Sequence, residues 1–233
     1  MASKILRRSG TGIVAIAGWL GWKPELVVQV GVGLHHQETD VMRETWPDCE
    51  FIGFEAHPGI ANAIRGTYPG IVHNVAVTYY TGLATLYDKP NHKDGSSLFP
   101  HKSTEEKRIR VPTVSLDGFF QWTHDPKSSD KQILLWLDCE GSELVAIHGG
   151  IGFLRYVQMV NVELTGKPIR RGTCTPGEVH RALNGLGFLR QWHHTSRSCA
   201  GQLDAVYVRP DLFRIDLCSC PCQVELFEDW KDE

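Results

Sequence analysis

The first strong signal along the chain is a short apolar run, "ELVVQVG" over 25–31, whose residues are apolar on both alternating faces, as in a strand buried between two layers. A helix-like stretch follows over about 36–45, and "CEFIGFE" over 49–55 reads as a second strand. A third unit runs through "PGIANAIRGTYPG" into "IVHNVAV", with Gly66 and the Pro69-Gly70 pair as breaks. The rhythm then changes. "VTYYTGLATLYD" and "KRIRVPTVSL" alternate in the manner of antiparallel strands, and the polar "KPNHKDGSSLFPHKSTEE" between them predicts a long loop. The parallel pattern resumes with "QILLWLD", a helix over 141–148 and a strand over 156–164. Thr175, Pro176 and Glu178 form a helix start of capping-box type, and strands over 188–192 and 203–209 close the series. Repeated β-α-β units predict an α/β fold: a mainly parallel, twisted sheet with helices on both faces and an inserted antiparallel excursion.

The pattern divides the chain into an N-terminal extension over 1–25, one domain over 26–210 and a cysteine-containing tail over 211–233. The basic start and mildly apolar run of the extension resemble a weak signal peptide, but Gly12, Gly18 and Gly21 break the run and a core strand begins almost at once. Nothing approaches the roughly 20 apolar residues of a membrane span. A formal charge of -3 gives no general attraction to nucleic acid or to an anionic membrane. Seven cysteines, an odd number, suggest no disulfide framework, so a reducing cytoplasm is the simplest home. The eleven histidines show no metal-binding spacing such as H-E-x-x-H, and the "CSCPCQ" of the tail is not a standard zinc pattern, so no metal is expected.

In an open α/β sheet the ligand lies outside the carboxyl ends of the strands, where strand order reverses. The first strand ends at Gly31 and Gly33, which permit a tight turn and close backbone approach. The second ends at Glu55, near the roughly 20-residue spacing at which an acidic residue meets a ribose. The fourth ends at Asp138, followed at once by Glu140 and Glu143. Helix capping accounts for one carboxylate there but does not require three.

The segments "LVVQVGVG", "FIGFEAHP", "NVAV", "GSSLFP", "VPTVSLDGFF" and above all "LLWLDCEGSELVAIHGG", in this order, resemble the FkbM family of S-adenosylmethionine-dependent methyltransferases. The resemblance implies a class I methyltransferase (Rossmann-like) fold, a seven-stranded sheet with its last strand antiparallel. It also implies S-adenosylmethionine as cofactor and O-methylation of a hydroxyl on a small molecule or glycan. By position it places Gln29, Gly31 and Gly33 under the methionine part of the cofactor. Glu55 and Ala56 fall at the ribose, Val75 and Ala76 at the adenine, Ser96 and Ser97 in a covering loop, and Asp138 at the methyl-transfer zone. Gln29 stands where the family usually has an acidic residue, His35 where it has the last glycine of the turn, and Trp136 where it commonly has lysine. Asp138 is the first candidate for general base, Glu163 the second, and His36 a third. Two other readings compete: a cofactor-degenerate binding module without turnover, and a dinucleotide-binding oxidoreductase. No nucleic-acid partner is expected, and a homo-oligomer is left open.

Overall fold

The computed structural model describes residues 11–88, 95–103, 105–121, 131–166, 169–195 and 202–212. The cysteines of the tail and Cys199 lie outside these residues. A seven-stranded sheet forms the centre, built from β1 (Leu26–Val30), β2 (Glu50–Phe54), β3 (Ile71–His73), β7 (Ile133–Leu137), β8 (Val157–Thr165), β9 (Leu189–Thr195) and β10 (Gln202–Val208). Their order is β3-β2-β1-β7-β8-β10-β9. β10 runs antiparallel to both its neighbours, and the other pairs are parallel. This is the class I methyltransferase arrangement. Chain order reverses between β1 and β7, so a ligand crevice belongs at their carboxyl ends.

The continuous apolar runs reflect burial on both faces: every residue of β1 and β7 is buried. Val28, Val30, Leu135 and Leu137 face one layer, which contains α4 (Leu116–Gln121), α5 (Glu143–His148) and α6 (Pro176–Gly185). Val27, Leu134 and Trp136 face the other, with α1 (Thr11–Leu20), α2 (Gln37–Thr45) and α3 (Pro58–Ile64). Each such Leu or Val removed from water contributes about 1.5–3 kcal/mol. Residues 11–20, read from sequence as part of an extension, form α1, whose Ile13, Ala17 and Leu20 are buried in this second layer.

The excursion is a second sheet of β4 (Ala76–Val77), β5 (Gly82–Asp88) and β6 (Lys107–Val114), in the order β4-β6-β5. It is mixed rather than purely antiparallel, because β4 pairs with β6 in parallel. "IVHNVAV" is therefore two strands in two sheets. The break lies at Asn74, whose side-chain amide donates to the carbonyls of Glu55 (2.9 Å) and Ala56 (3.2 Å) and turns the chain across the end of β2. The strand expected through Leu116 stops at Val114, and Leu116 opens α4 instead. Asp117 then accepts from the amides of Gly152 (3.0 Å) and Phe153 (2.7 Å), which fastens α4 to the turn before β8.

Candidate active site

One cavity opens at the carboxyl ends of β1, β2 and β7. Of the residues selected from sequence, Gly31, Gly33, Glu55, Ala56, Val75, Ala76, Ser96, Ser97 and Asp138 all line it. Gln29, His36 and Glu163 do not. Gln29 is buried beneath α2, where its Oε1 accepts from the Thr39 hydroxyl at 2.8 Å. His36 is turned aside: its Nε2 lies 3.1 Å from Thr67 Oγ1, and its ring packs edge-on against Tyr68. His35, not His36, reaches the cavity wall.

Gly31 has φ +80°, and a Cβ there would sit 1.7 Å from the carbonyl oxygen of Asp138. Its first duty is thus to let β1 and β7 end side by side. Gly33, at φ +70°, donates its amide to Glu55 Oε2 at 3.0 Å, while Glu55 Oε1 accepts from the amide of His57 at 2.7 Å. The backbone amide of Val32 adds to these, and a carboxylate's acceptor sites are not all taken by three amides. Burial pushes the Glu55 carboxyl above its ordinary value, and the amides of Gly33 and His57 oppose that rise.

The segment "DCEGSE" resolves into separate tasks. Glu143 is not a helix cap in the usual sense: its Oε1 reaches back to accept from the amides of Cys139 (3.2 Å) and Gly141 (3.0 Å), closing the turn before α5. Ser142 Oγ donates to the Cys139 carbonyl at 2.7 Å. Glu140 (φ 54°) and Gly141 (φ 96°) both lie in the left-handed region, and Thr173 Cγ2 would be 2.3 Å from a Cβ at Gly141. The turn delivers Asp138 into the cavity, with a carboxyl oxygen within 4.8 Å of one from Glu163 of the adjacent strand. Burial, Glu163, Glu140 and Glu143 together drive the Asp138 carboxyl well above the carboxylate range. Asp204, opposite Glu163 on β10, is raised to about 7 by burial and by Glu163 and Glu38. Sequence reasoning missed Asp204; its place opposite Glu163 depends on strand pairing that no local motif shows.

Asp138, Glu140 and Glu163 each bring an oxygen within 4.8 Å of the others, an oxygen-rich geometry that a hard divalent cation can use. The sequence search for histidine spacing did not find it.

The model of the FkbM methyltransferase domain matches residues 30–190. The chain belongs to the FkbM methyltransferase family. Its cofactor is S-adenosylmethionine. Solved structures similar to the chain at low identity include magnesium protoporphyrin IX methyltransferase of Synechocystis PCC 6803 with bound S-adenosylmethionine, 9% identical, with 86% of this chain and 79% of that one covered and a TM-score of 0.46. The plantazolicin methyltransferase BpumL in complex with S-adenosylhomocysteine is 10% identical, covering 86% and 81% at 0.46. The METTL16 methyltransferase domain is 10% identical, covering 88% and 67% at 0.49. No curated protein matches the sequence.

The cavity suits this FkbM protein's cofactor, which is a sulfonium cation. Its lining includes the carboxylates Glu55, Asp138 and Glu140, no lysine or arginine among the described residues, and an apolar stretch with Val75, Ala76, Leu86 and Leu98. A low-dielectric cleft lined by one sign of charge attracts the opposite sign. Among the described residues, no helix is long and apolar enough to cross a membrane.

Proposed function

We propose that the protein moves the methyl group of S-adenosylmethionine to a hydroxyl oxygen of a small molecule or glycan. Bound in the cavity, the cofactor supplies an electrophilic methyl carbon and a good leaving group. The protein's share is to position the acceptor, exclude water and take a proton. Glu55 would hold the ribose hydroxyls, and Ala56, Val75, Ala76 and Leu98 would line the adenine. Gly31 and Gly33 would hold the methionine part, with Ser96 and Ser97 in the covering wall.

The observation that carries the choice of oxygen is the acid pair. A hydroxyl becomes a competent nucleophile only as its proton leaves, and the best base for that has a pKa near the working pH. Asp138, which burial and the neighbouring Glu163 push above the ordinary carboxylate range, is the first candidate to take that proton. Glu163, whose carboxyl lies within 4.8 Å on the neighbouring strand, is the second. With family membership set, the oxidoreductase reading falls away, and turnover is what separates this proposal from a cofactor-binding module.

The test is a screen of sugars, hydroxylated small molecules, amines and thiols for release of S-adenosylhomocysteine by the purified protein. Turnover with hydroxyl acceptors supports the proposal. Turnover confined to amines or thiols overturns the choice of oxygen, and cofactor binding with no acceptor turned over favours the binding module.

A further inference from the structure

One wall of the cavity comes from a segment with little regular structure, Gly95, Ser96, Ser97 and Leu98. It is joined to β5 by the backbone pair Tyr87–Ser97, and its serines reach outward: Ser96 Oγ donates to Asp88 Oδ1 at 3.2 Å and Ser97 Oγ to the Glu140 carbonyl at 2.7 Å. Behind it lies Arg170, from the loop between β8 and α6, only 3% exposed. One guanidinium nitrogen donates to the carbonyl of Phe99 (2.8 Å) and to Glu106 Oε1 (2.9 Å), and the other donates to the carbonyl of Gly95. Both ends of the wall thus converge on one side chain. The Glu106 side chain, 2% exposed, completes the pin, its Oε2 accepting from the His101 amide at 2.7 Å. Two backbone bonds, Lys102 N to Ile169 O and Arg171 N to Pro100 O, both 2.9 Å, run beside it.

A planar fork of donors fixes two carbonyls at a set separation, whereas an ammonium is a point charge that cannot span them. We propose that Arg170, with Glu106, is a positioning residue: it holds the 95–99 segment in the shape that closes the cofactor cavity, without touching the cofactor or the reacting atoms. This rests on reading the cavity as the S-adenosylmethionine site.

The experiment compares wild type, Arg170→Lys and Glu106→Gln by calorimetry with S-adenosylhomocysteine and by hydrogen exchange of a peptide spanning 95–103. For Arg170→Lys the expected result is a Kd raised about tenfold or more at a stoichiometry still near one, with faster exchange in that peptide; Glu106→Gln moves both in the same direction by less. A merely structural role lowers the stoichiometry, because fewer molecules fold, and leaves the Kd of the rest unchanged. That result overturns the proposal, as does a wild-type Kd with wild-type exchange in both variants. If Arg170→Lys does not fold, Glu106→Gln decides by the same two readings. Should the wild type itself bind neither S-adenosylmethionine nor S-adenosylhomocysteine, the cofactor reading of the cavity falls. The exchange comparison then still supports or rejects the clamp.

Discussion

Two acidic side chains stand at the ends of neighbouring regions of one sheet edge, Glu55 after β2 and Asp138 after β7, and their surroundings differ in kind. Glu55 is met by backbone amides, from Gly33 and His57, so its charge is spent on joining two loops and offering acceptors to a ligand. Asp138 is buried and is met by other acids, Glu163, Glu140 and Glu143, and burial and these neighbours together raise it well above its ordinary range. Amide donors favour the ionised form of a carboxyl group and neighbouring carboxylates favour the protonated form. The first environment suits binding and the second suits proton transfer. A strand-end acid therefore takes its chemistry from its partners, and residue type and position alone cannot separate the two.

The sharpest way to break the comparison is to neutralise each member in turn. Asp138→Asn keeps the size and removes the base, so kcat should fall by about 10²- to 10⁴-fold while cofactor affinity changes little. Calorimetry beside a turnover assay checks this, and normal turnover would reduce Asp138 to the end of a strand. Glu55→Gln should act the other way round. Loss of charge-assisted hydrogen bonds to the ribose raises the Kd for S-adenosylmethionine by about 10- to 100-fold, since such bonds contribute about 1.5–3 kcal/mol. If Glu55→Gln binds the cofactor as the wild type does, the carboxylate serves the loops alone.

The same two regions show how far the sequence could be read. Strand ends were legible because buried parallel strands are short, mostly apolar on both faces and end where a polar turn begins. That locates Glu55 and Asp138 without any contact information. The capping box at Thr175 and Glu178 was legible for a similar reason, being made of residues three apart, and both its hydrogen bonds are present. What was not legible depends on residues distant in the chain. Asp204 acquires its meaning from pairing with Glu163, and Gln29 from lying under Thr39. Arg170 sits in a polar loop with no periodicity to mark it. α1 was hidden by its glycines, yet Gly18 has nothing within 4 Å of where a Cβ would be, so that glycine costs the helix no contact.

The acid-rich region also carries a pH signature. Asp204 is raised from an ordinary value of 3.8 to about 7. A folded-state pKa above the unfolded one means that the folded protein keeps a proton the unfolded chain has lost. Stability therefore declines as pH rises from about 4 to 7 and levels off above, with a slope for one such group of at most about 1.4 kcal/mol per pH unit, less what solvent screening removes. Asp138, Glu143 and Glu55, also raised, act in the same direction. Wild-type Tm should be higher near pH 5 than near pH 8, and Asp204→Asn should flatten that difference and exceed the wild type at pH 8. Parallel curves for the two proteins would mean that Asp204 does not titrate in this window.

The smallest effect is the one expected of chelation. The oxygens of Asp138, Glu140 and Glu163 are close enough to share a cation, but a cation and a proton on Asp138 are alternatives. A divalent ion would require the acids ionised and would pull their pKa values down, whereas burial and the neighbouring acids push the Asp138 carboxyl up, toward its protonated form. A proton-transfer site of this kind should keep its kcat within about twofold in excess EDTA, since no part of the proposed base depends on a metal. Loss of turnover in EDTA, restored by added Mg²⁺, would transfer the activation of the acceptor from Asp138 as base to a metal bound by the same three carboxylates. The contrast with Glu55 would survive that result: one strand-end acid would still bind through amides and ribose, and the other would act through what its acidic neighbours hold in common.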